Sequence, residues 1–400
     1  MGGGLPPPNR PVSGRLLAVV LPRSAAARAI GAAWDARDAV AVLDPAQPRP
    51  VLEATLARLR PTHVVHGDGR RTWRGGDAPD PDVAAVVLTS GTTGTPKAVE
   101  LTGAGLAAVG AGANTVLAVT ASDRWLVCLP LHHVAGLAIL ARARAGGQDV
   151  VVHDGFDADA VGAAPRAAGA TLVSVVPTTL ARLLDRDAPL RRYRRIVVGG
   201  APLPPALRAR AEAAGAPVVD AYGLSETGGG VVFDGRPIPG ASVDLAHDDE
   251  ILIRGPMVMR AYRGDPDATA AALTADGWLH TGDVGHRAPD GTVRLVDRRR
   301  DLVITGGVNV SPRAVEDVLA DHPQVADVCV AGTPDAQWGE RVVAFVVPRP
   351  GGPPPTVDAL RDYARSRLRA AELPRQVVVV GAIPRSPSGK AHRRSLPSPP

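Results

Sequence analysis

The segment Leu88–Glu100 reads LTSGTTGTPKAVE and continues an apolar run, AAVV, at Ala84–Val87. The run reads as a strand that empties into a loop of glycines and hydroxyls, followed by Lys97 and by a helix starting near Thr102. Closely spaced backbone N–H groups, the hydroxyls of Thr89, Ser90, Thr92 and Thr93, and one ammonium suit a polyphosphate. Gly91 and Gly94 precede Lys97 at a spacing unlike the P-loop pattern GxxxxGK[ST]. Taken alone, the segment also reads as a flexible Gly/Thr turn, so the rest of the chain must decide.

On either side, short β-branched runs alternate with Ala/Leu/Arg-rich helical stretches from about Arg15 to Tyr222. Strands are expected at AVAVLD (39–44), THVVHG (62–67), RWLVCLP (124–130), DVVVHD (149–154), TLVSVVP (171–177), RRIVVGG (194–200) and PVVDAYG (217–223). Helices are expected between them at 24–36, 105–118 and 205–215. The strands are continuously apolar rather than alternating, the pattern of a sheet covered by helices on both faces. The fold class is therefore α/β: a large N-terminal domain of parallel α/β sheets, with ligands at the carboxyl ends of the strands. Over about 235–297 the texture turns to short strands and turns, a small β-rich subdomain. After Asp297 come DLVITGG, the helix SPRAVEDVLADH, the strands VADVCVAG and WGERVVAFVVP, and a helix from Val357 to about Leu368. The expected organisation is a large domain at 13–297, a hinge at 298–301 and a small α+β domain at 302–394. The Gly/Pro/Ser-rich ends, 1–12 and 395–400, are expected to be disordered.

Bulk properties narrow the function. A chain of 400 residues exceeds one compact core, and 45% hydrophobic with 21% charged residues is an ordinary globular balance. The net charge of +5 arises from 45 basic residues nearly offset by 40 acidic ones, so the Arg-rich runs RRYRR (191–195) and DRRRD (297–301) do not argue for a nucleic-acid partner. Cys128 and Cys329 lie in strand-like stretches with no ligand spacing around them, so buried free thiols are expected and zinc is not. No apolar run has the length of a membrane span, and MGGGLPPPNRP lacks the form of a signal peptide. A cytoplasmic protein without integral membrane association is expected. Among the 45 basic residues only two are lysines, Lys97 and Lys390, the latter set among Arg385, Arg393 and Arg394.

Downstream motifs resolve the ambiguity of the Gly/Thr loop. DAYGLSETGGG (Asp220–Gly230) follows a strand and offers Tyr222 as a stacking surface, then Ser225 and Glu226. A carboxylate near a phosphate site is a natural magnesium ligand. HTGDVG (His280–Gly285), VDRRRDLVITGGVNVSP (296–312) and PRSPSGK (384–390) follow in order. Together these motifs resemble the adenylate-forming enzymes, a superfamily of acyl-CoA ligases, peptide-synthetase adenylation domains and luciferases. The likeness covers nearly the whole chain from about residue 84.

The resemblance implies a role for each matching residue. Thr89, Ser90, Gly91, Thr92, Thr93, Gly94 and Lys97 would hold the β- and γ-phosphates of ATP. Gly199, Gly200, Ala201, Pro202 and Tyr222 would form the adenine pocket, with Asp220 and Gly223 in the same ATP-binding segment. Ser225 would lie near the α-phosphate and Glu226 on Mg2+, while Asp283 would bind the ribose hydroxyls with Arg298 assisting. Lys390 would contact the carboxylate and α-phosphate during adenylation. His133, in PLHHVAGL, would line the acyl pocket with Gly199, and His132 has no role. Thr178 and Thr179 read either as contacts for the substrate's polar end or as a helix N-cap pair. The small C-terminal domain would rotate about Arg300 between half-reactions, bringing Gly306 and Gly307 to the coenzyme A tunnel. ATP, Mg2+ and coenzyme A are the implied cofactors and co-substrates.

Three departures accompany the likeness. Ala98 stands where the family often has Gly, and Arg300 stands where the hinge is often Asp or Lys. The region ahead of the phosphate loop is also short. That compactness, with PLHHVAGL, VPTTLARLL and VVGGAPLPPAL, is similar to short o-succinylbenzoate–CoA ligases of menaquinone synthesis. The implied reaction joins a carboxylate to ATP, releasing pyrophosphate, and then exchanges AMP for the coenzyme A thiol. Another aromatic or fatty acid, or a carrier protein's thiol, remains open, as does a homodimer. A non-catalytic Arg-rich binding protein is opposed by the joint presence of Lys97, Glu226, Asp283, Arg298 and Lys390. The lysine puzzle has the same answer: both lysines fall on phosphate-contacting motifs, where a compact point charge fits and a planar guanidinium does not.

Overall fold

The structure is a computed structural model and describes residues 14–67, 69–89, 96–385 and 391–399. The first sheet opens with β1 (Leu16–Val19), α1 (Arg23–Asp35), β2 (Ala39–Val42) and α2 (Arg49–Leu59). It continues through β3 (His63–His66), β4 (Gly69–Thr72), β5 (Val83–Thr89) and β6 (Lys97–Thr102), side by side in the order β6-β5-β2-β1-β3-β4. β1 pairs parallel with β2 and β3, and β2 pairs parallel with β5, whereas β3–β4 and β5–β6 are antiparallel. The apolar run of β1 is buried at every position, as a central strand with two covered faces requires.

β6 is a departure from the sequence reading, which led from Lys97 straight toward a helix. Lys97 pairs across the ladder with Thr89, so the Gly/Thr segment joins two antiparallel strands rather than a strand and a helix. KAVELT holds Lys97 and Glu100, so it lacks the continuous apolar run that marks the strands expected from sequence. The helix α3 (Gly103–Val116) begins only after it, with the Thr102 hydroxyl accepting from the Gly105 N–H at 2.9 Å.

The second sheet alternates β7 (Trp125–Val127), α4 (Val134–Gly146), β8 (Val150–Val152), α5 (Ala158–Ala168), β9 (Leu172–Val175), α6 (Pro177–Leu184), β10 (Arg195–Gly199), α7 (Pro205–Ala213) and β11 (Val218–Leu224). β12 (Gly229–Phe233) and β13 (Arg236–Pro237) complete it in the order β13-β12-β11-β10-β9-β7-β8. From β8 to β11 every pairing is parallel, and the β11–β12–β13 edge is antiparallel. The expectation of parallel sheets thus holds for the centres and not the edges, where hairpins add strands without a crossover helix.

β14 (Ser242–Leu245), β15 (Glu250–Arg254) and β16 (Ala261–Tyr262) follow, the last pairing antiparallel with β6 of the first sheet. After α8 (Pro266–Ala272), β17 (Leu279–Arg287) and β18 (Val293–Arg298) form a hairpin and a four-stranded sheet ordered β14-β15-β17-β18. The last sheet combines β19 (Val303–Thr305), β20 (Val308–Val310), α9 (Pro312–Leu319), β21 (Val325–Asp335), β22 (Gly339–Pro348), α10 (Val357–Ala364) and β23 (Gln376–Val379). Its apolar core is Val303, Val310, Val315, Leu319, Val328, Val342 and Leu360 with their neighbours.

Two compact units result. One comprises the chain through Gly200 with 210–244 and 252–281, and the other comprises 201–209, 245–251 and 282–400. The expected hinge falls within the second unit at a 3-10 turn, Arg299–Asp301. The N-terminal segment expected to be disordered lies outside the described residues. The expected tail begins in a 3-10 turn, Arg393–Ser395, and Leu396 packs against Cys329, Phe345 and Ile383. Cys128 and Cys329 are both buried and free, and burial pushes each thiol up to about 12. Among the described residues no helix is long and apolar enough to cross a membrane.

Candidate active site

In the first unit, the segment after β11 is built around a buried threonine. The Thr227 hydroxyl accepts from the Leu224 N–H at 2.9 Å and lies 2.8 Å from the Gly229 carbonyl, closing a 3-10 turn over Ser225–Thr227. That turn leaves Ser225 and Glu226 half-buried at its rim. Close backbone approach sets the strands beside it. A Cβ on Gly223 would lie 2.0 Å from the Gly229 carbonyl oxygen, and one on Gly199 would lie 2.8 Å from that of Ala221. These glycines let β10, β11 and β12 converge where the adenine pocket is expected. Tyr222 stands between them, opposite Val232, and the Asp220 N–H donates to Asp234 at 3.1 Å.

Glu226 is held at both ends of the residue. Its carbonyl accepts from the Met259 N–H at 2.7 Å, and its Oε1 accepts from the Tyr262 hydroxyl at 2.7 Å. Its other oxygen has no hydrogen bond among the described residues, and a hard carboxylate oxygen so placed fits Mg2+. Lys97 lies with its Nζ 4.4 Å from the centroid of the same Tyr262 ring. The structure therefore brings Thr89, Lys97 and Glu226 into one neighbourhood through a residue the sequence reading missed. Ser90, Gly91, Thr92, Thr93, Gly94 and Lys390 lie outside the described residues.

His133 immediately precedes α4, its ring 4.4 Å from that of His132. His132, given no role from sequence, thus lies ring to ring with the histidine assigned to the acyl pocket. Burial, reinforced by His132 and opposed by Asp44, lowers His133 from 6.5 to about 4, so it is neutral near pH 7. Thr179 bonds the backbone of Val176 in both directions, at 3.0 and 2.9 Å, a helix-terminus role; Thr178 is half-buried beside it.

Further along α4, Arg142 is only 4% exposed. Its guanidinium lies 5.5 Å from the Trp125 ring centroid and 5.6 Å from that of Phe233, and it donates to the Ser174 hydroxyl at 3.2 Å. Among the described residues no carboxylate pairs with it and its Nε has no partner. Burial alone lowers its pKa, to about 10, and leaves it charged. Its Nη2 would lie 3.6 Å from a Cβ on Gly230, the β12 residue opposite Gly223, so the bare glycine of the β11–β12 pair lies near the cation. In sequence, Arg142 is one arginine among many; its signal is a charge within the apolar run GLAILARA.

In the second unit, Asp283 on β17 is buried, directly opposite Arg298 on β18, with Arg298 Nε 2.7 Å from its Oδ1. Arg299 pairs with Asp248 and, at 3.3 Å, with Glu250, which also accepts from the Gly282 N–H at 2.8 Å. Arg300 reaches its neighbour Asp301 at 3.7 Å, and Arg393 lies 3.7 Å from the same carboxylate. Gly306 and Gly307 form the two-residue turn between β19 and β20, with φ of 57° and 76°. Those positive angles fit the primed turn of a tight hairpin. Ala201 and Pro202 follow β10 after Gly200.

Known proteins resemble this chain in sequence and fold. The AMP-binding enzyme family matches residues 13–263, and the AMP-binding enzyme C-terminal domain matches 314–390. A probable 2-succinylbenzoate–CoA ligase of Mycobacterium tuberculosis (strain ATCC 25618 / H37Rv) is 37% identical over 90% of this chain and 96% of its own length. The 2-succinylbenzoate–CoA ligase of Bacillus subtilis (strain 168) is 34% identical over 78% of this chain and 68% of its own. Among solved structures, o-succinylbenzoate CoA synthetase (MenE) from Bacillus subtilis in complex with the acyl-adenylate intermediate OSB-AMP superposes with a TM-score of 0.85. It is 28% identical and covers 97% of this chain and 89% of its own. ATP-bound MatB from Rhodopseudomonas palustris, at 24% identity and a TM-score of 0.85 over 96% of this chain and 88% of its own, shares the fold. From the paired matches that span most of its length, the chain belongs to the AMP-binding enzyme family.

Proposed function

We propose that this protein is an ATP-dependent acid–CoA ligase that converts o-succinylbenzoate to o-succinylbenzoyl-CoA in the cytoplasm. A carboxylate is a poor acyl donor because its oxygen is a poor leaving group. In the first step a carboxylate oxygen attacks the α-phosphorus of ATP, and the bond to the bridging oxygen breaks to release pyrophosphate. In the second, the coenzyme A sulfur attacks the acyl carbon, the bond to AMP breaks and the thiol proton is lost.

The first step gathers several negative charges, and fixed cations and N–H donors stabilise them. Lys97 with Thr89, Ser90, Gly91, Thr92, Thr93 and Gly94 would hold the β- and γ-phosphates, and Ser225 would meet the α-phosphate. Mg2+, held by Glu226, would neutralise charge on the phosphates when bound. Gly199, Gly200, Ala201, Pro202, Asp220, Tyr222 and Gly223 would seat the adenine. Asp283, oriented by Arg298, would accept from the ribose hydroxyls. Lys390 would join during adenylation and leave as the small domain turns about Arg300. Gly306 and Gly307 would then border the thiol's path.

The observation that carries the choice of acid is Arg142. A charge buried without a counter-charge costs several kcal/mol of solvation (~3–5 kcal/mol when one partner of a buried pair is missing), and an incoming substrate carboxylate would offset that cost. o-Succinylbenzoate brings two carboxylates: one to be activated, and one left for a cation. His133, neutral near pH 7, leaves Arg142 to supply that charge. The deciding assay is pyrophosphate release with a panel of mono- and dicarboxylic acids, with and without coenzyme A. o-Succinylbenzoate should lead the panel, with thioester forming only when coenzyme A is present. Absence of acid-dependent release from every acid would sink the ligase reading.

A further inference from the structure

We propose that Tyr262 is a positioning residue that keeps the phosphate-binding cation and the metal-binding carboxylate of one nucleotide apart and aimed. The inference rests on the roles proposed for Lys97 and Glu226. Its hydroxyl donates to Glu226 Oε1 at 2.7 Å, while its ring lies 4.4 Å from Lys97 Nζ. Among the described residues Lys97 makes no ion pair, and the Tyr262 hydroxyl is the only side-chain bond of Glu226. An ammonium and a carboxylate in one half-buried neighbourhood would otherwise close on each other. Each would then cancel the charge the nucleotide needs. The phenol prevents that by offering each a different surface, the hydroxyl to the anion and the electron-rich face to the cation.

The backbone of Tyr262 is held by neighbours outside the site. Tyr262 is only 7% exposed and pairs with Val99 across the β6–β16 ladder, two residues from Lys97 on the same strand. Its N–H donates to the Thr269 hydroxyl at 2.9 Å. Glu100, buried on β6, receives Arg260 at 3.4 Å and Arg263 at 3.1 Å, bracketing Tyr262 in sequence. Glu226 is tied to this segment as well, through Met259. One short strand therefore sets the position of both charged groups. Tyr262 is one of only four tyrosines in the chain, a scarcity that parallels that of the lysines.

The test separates the two surfaces of the phenol by equilibrium binding, without turnover. Tyr262→Phe keeps the ring and removes the donor; Tyr262→Leu removes both. Calorimetric titration with a non-hydrolysable ATP analogue, with Mg2+ and in EDTA, reads each contribution. Phe should weaken binding of the Mg2+ complex about tenfold while leaving metal-free binding as in the wild type, the scale of a lost hydrogen bond to a charged group. Leu should in addition weaken metal-free binding several-fold, as Lys97 loses its platform. Phe binding both forms as the wild type does would overturn the proposal, and so would an equal loss in both forms, the mark of a general structural role. If the Leu variant fails to fold, the isosteric Phe variant alone decides. A wild type that binds the Mg2+ complex in this Tyr262-dependent way but activates no acid would leave this inference standing and remove the proposed reaction. A wild type that binds no adenine nucleotide would remove both.

Discussion

Arg142 and His133 show how burial assigns chemistry to single side chains. Arg142 keeps its charge because a guanidinium stays protonated even when burial lowers it to about 10, so the interior holds a permanent cation. Arg142→Met should therefore cut kcat/KM for o-succinylbenzoate about a hundredfold, the cost of leaving a buried carboxylate unpaired. Activity toward a monocarboxylic analogue should change far less. Equal losses for both acids would make Arg142 a packing residue. His133 behaves oppositely, since burial favours its neutral form. The unfolded chain takes up this proton near pH 6.5 and the folded chain only near 4. The histidine's contribution to stability is thus full above the first value and is lost as pH falls toward the second. Urea unfolding across that window should lose stability less steeply in His133→Asn than in the wild type, and coincident slopes would show that the ring is not held neutral. Neither residue's environment was legible in sequence. PLHHVAGL marked His133 through a likeness, and the one local signal of Arg142, a charge set in the apolar run GLAILARA, gives neither its burial nor its neighbours.

At the scale of elements, the continuous apolar runs located most of the central strands, because two covered faces leave no polar period to misread, but the four-residue β1, central in its sheet, escaped the sequence reading. Edges were harder. β16 is two residues long and its partner β6 is distant in sequence, so the ladder that places Lys97 beside Tyr262 had no local signature. Glycine patterns were read as a motif, and geometry gives them separate duties. Gly223→Ala would drive a Cβ to 2.0 Å from a backbone oxygen that cannot yield without moving β12. We expect a loss of about 1–3 kcal/mol, the usual cost of overpacking, with weakened nucleotide binding. Gly31, on α1, has nothing within 4 Å of an added Cβ. Gly31→Ala should instead raise stability by about 0.5–1 kcal/mol, because a helix interior favours alanine. Urea titrations of both variants check the contrast. A tolerated Gly223→Ala would mean that the β11–β12 approach is not required.

For the molecule as a whole, the order of the motifs along the chain was legible from sequence, and the boundary between its parts less so. The expected hinge at 298–301 was drawn where composition changes, whereas compactness groups the β17–β18 stretch after Gly282 with the C-terminal elements. Composition reports which residues a segment contains, not which neighbours they pack against. The grouping bears on function because the family likeness divides the reaction into two half-reactions with different demands. Adenylation needs a cation between the attacking carboxylate and the α-phosphate; thioester formation needs the thiol to reach a finished adenylate. If Lys390 supplies that cation, Lys390→Ala should slow adenylation by roughly two to four orders of magnitude, the scale of a lost transition-state electrostatic contact. Thioester formation from supplied o-succinylbenzoyl-adenylate and coenzyme A should continue near the wild-type rate, because the lysine has no part in it. Lys390→Arg sharpens the test. If charge alone mattered it would restore most of the rate, whereas a crowded phosphate site that needs a compact ammonium should leave it nearly as slow as alanine. Equal loss of both half-reactions in Lys390→Ala would instead assign Lys390 to the stability of the C-terminal elements and remove it from the chemistry.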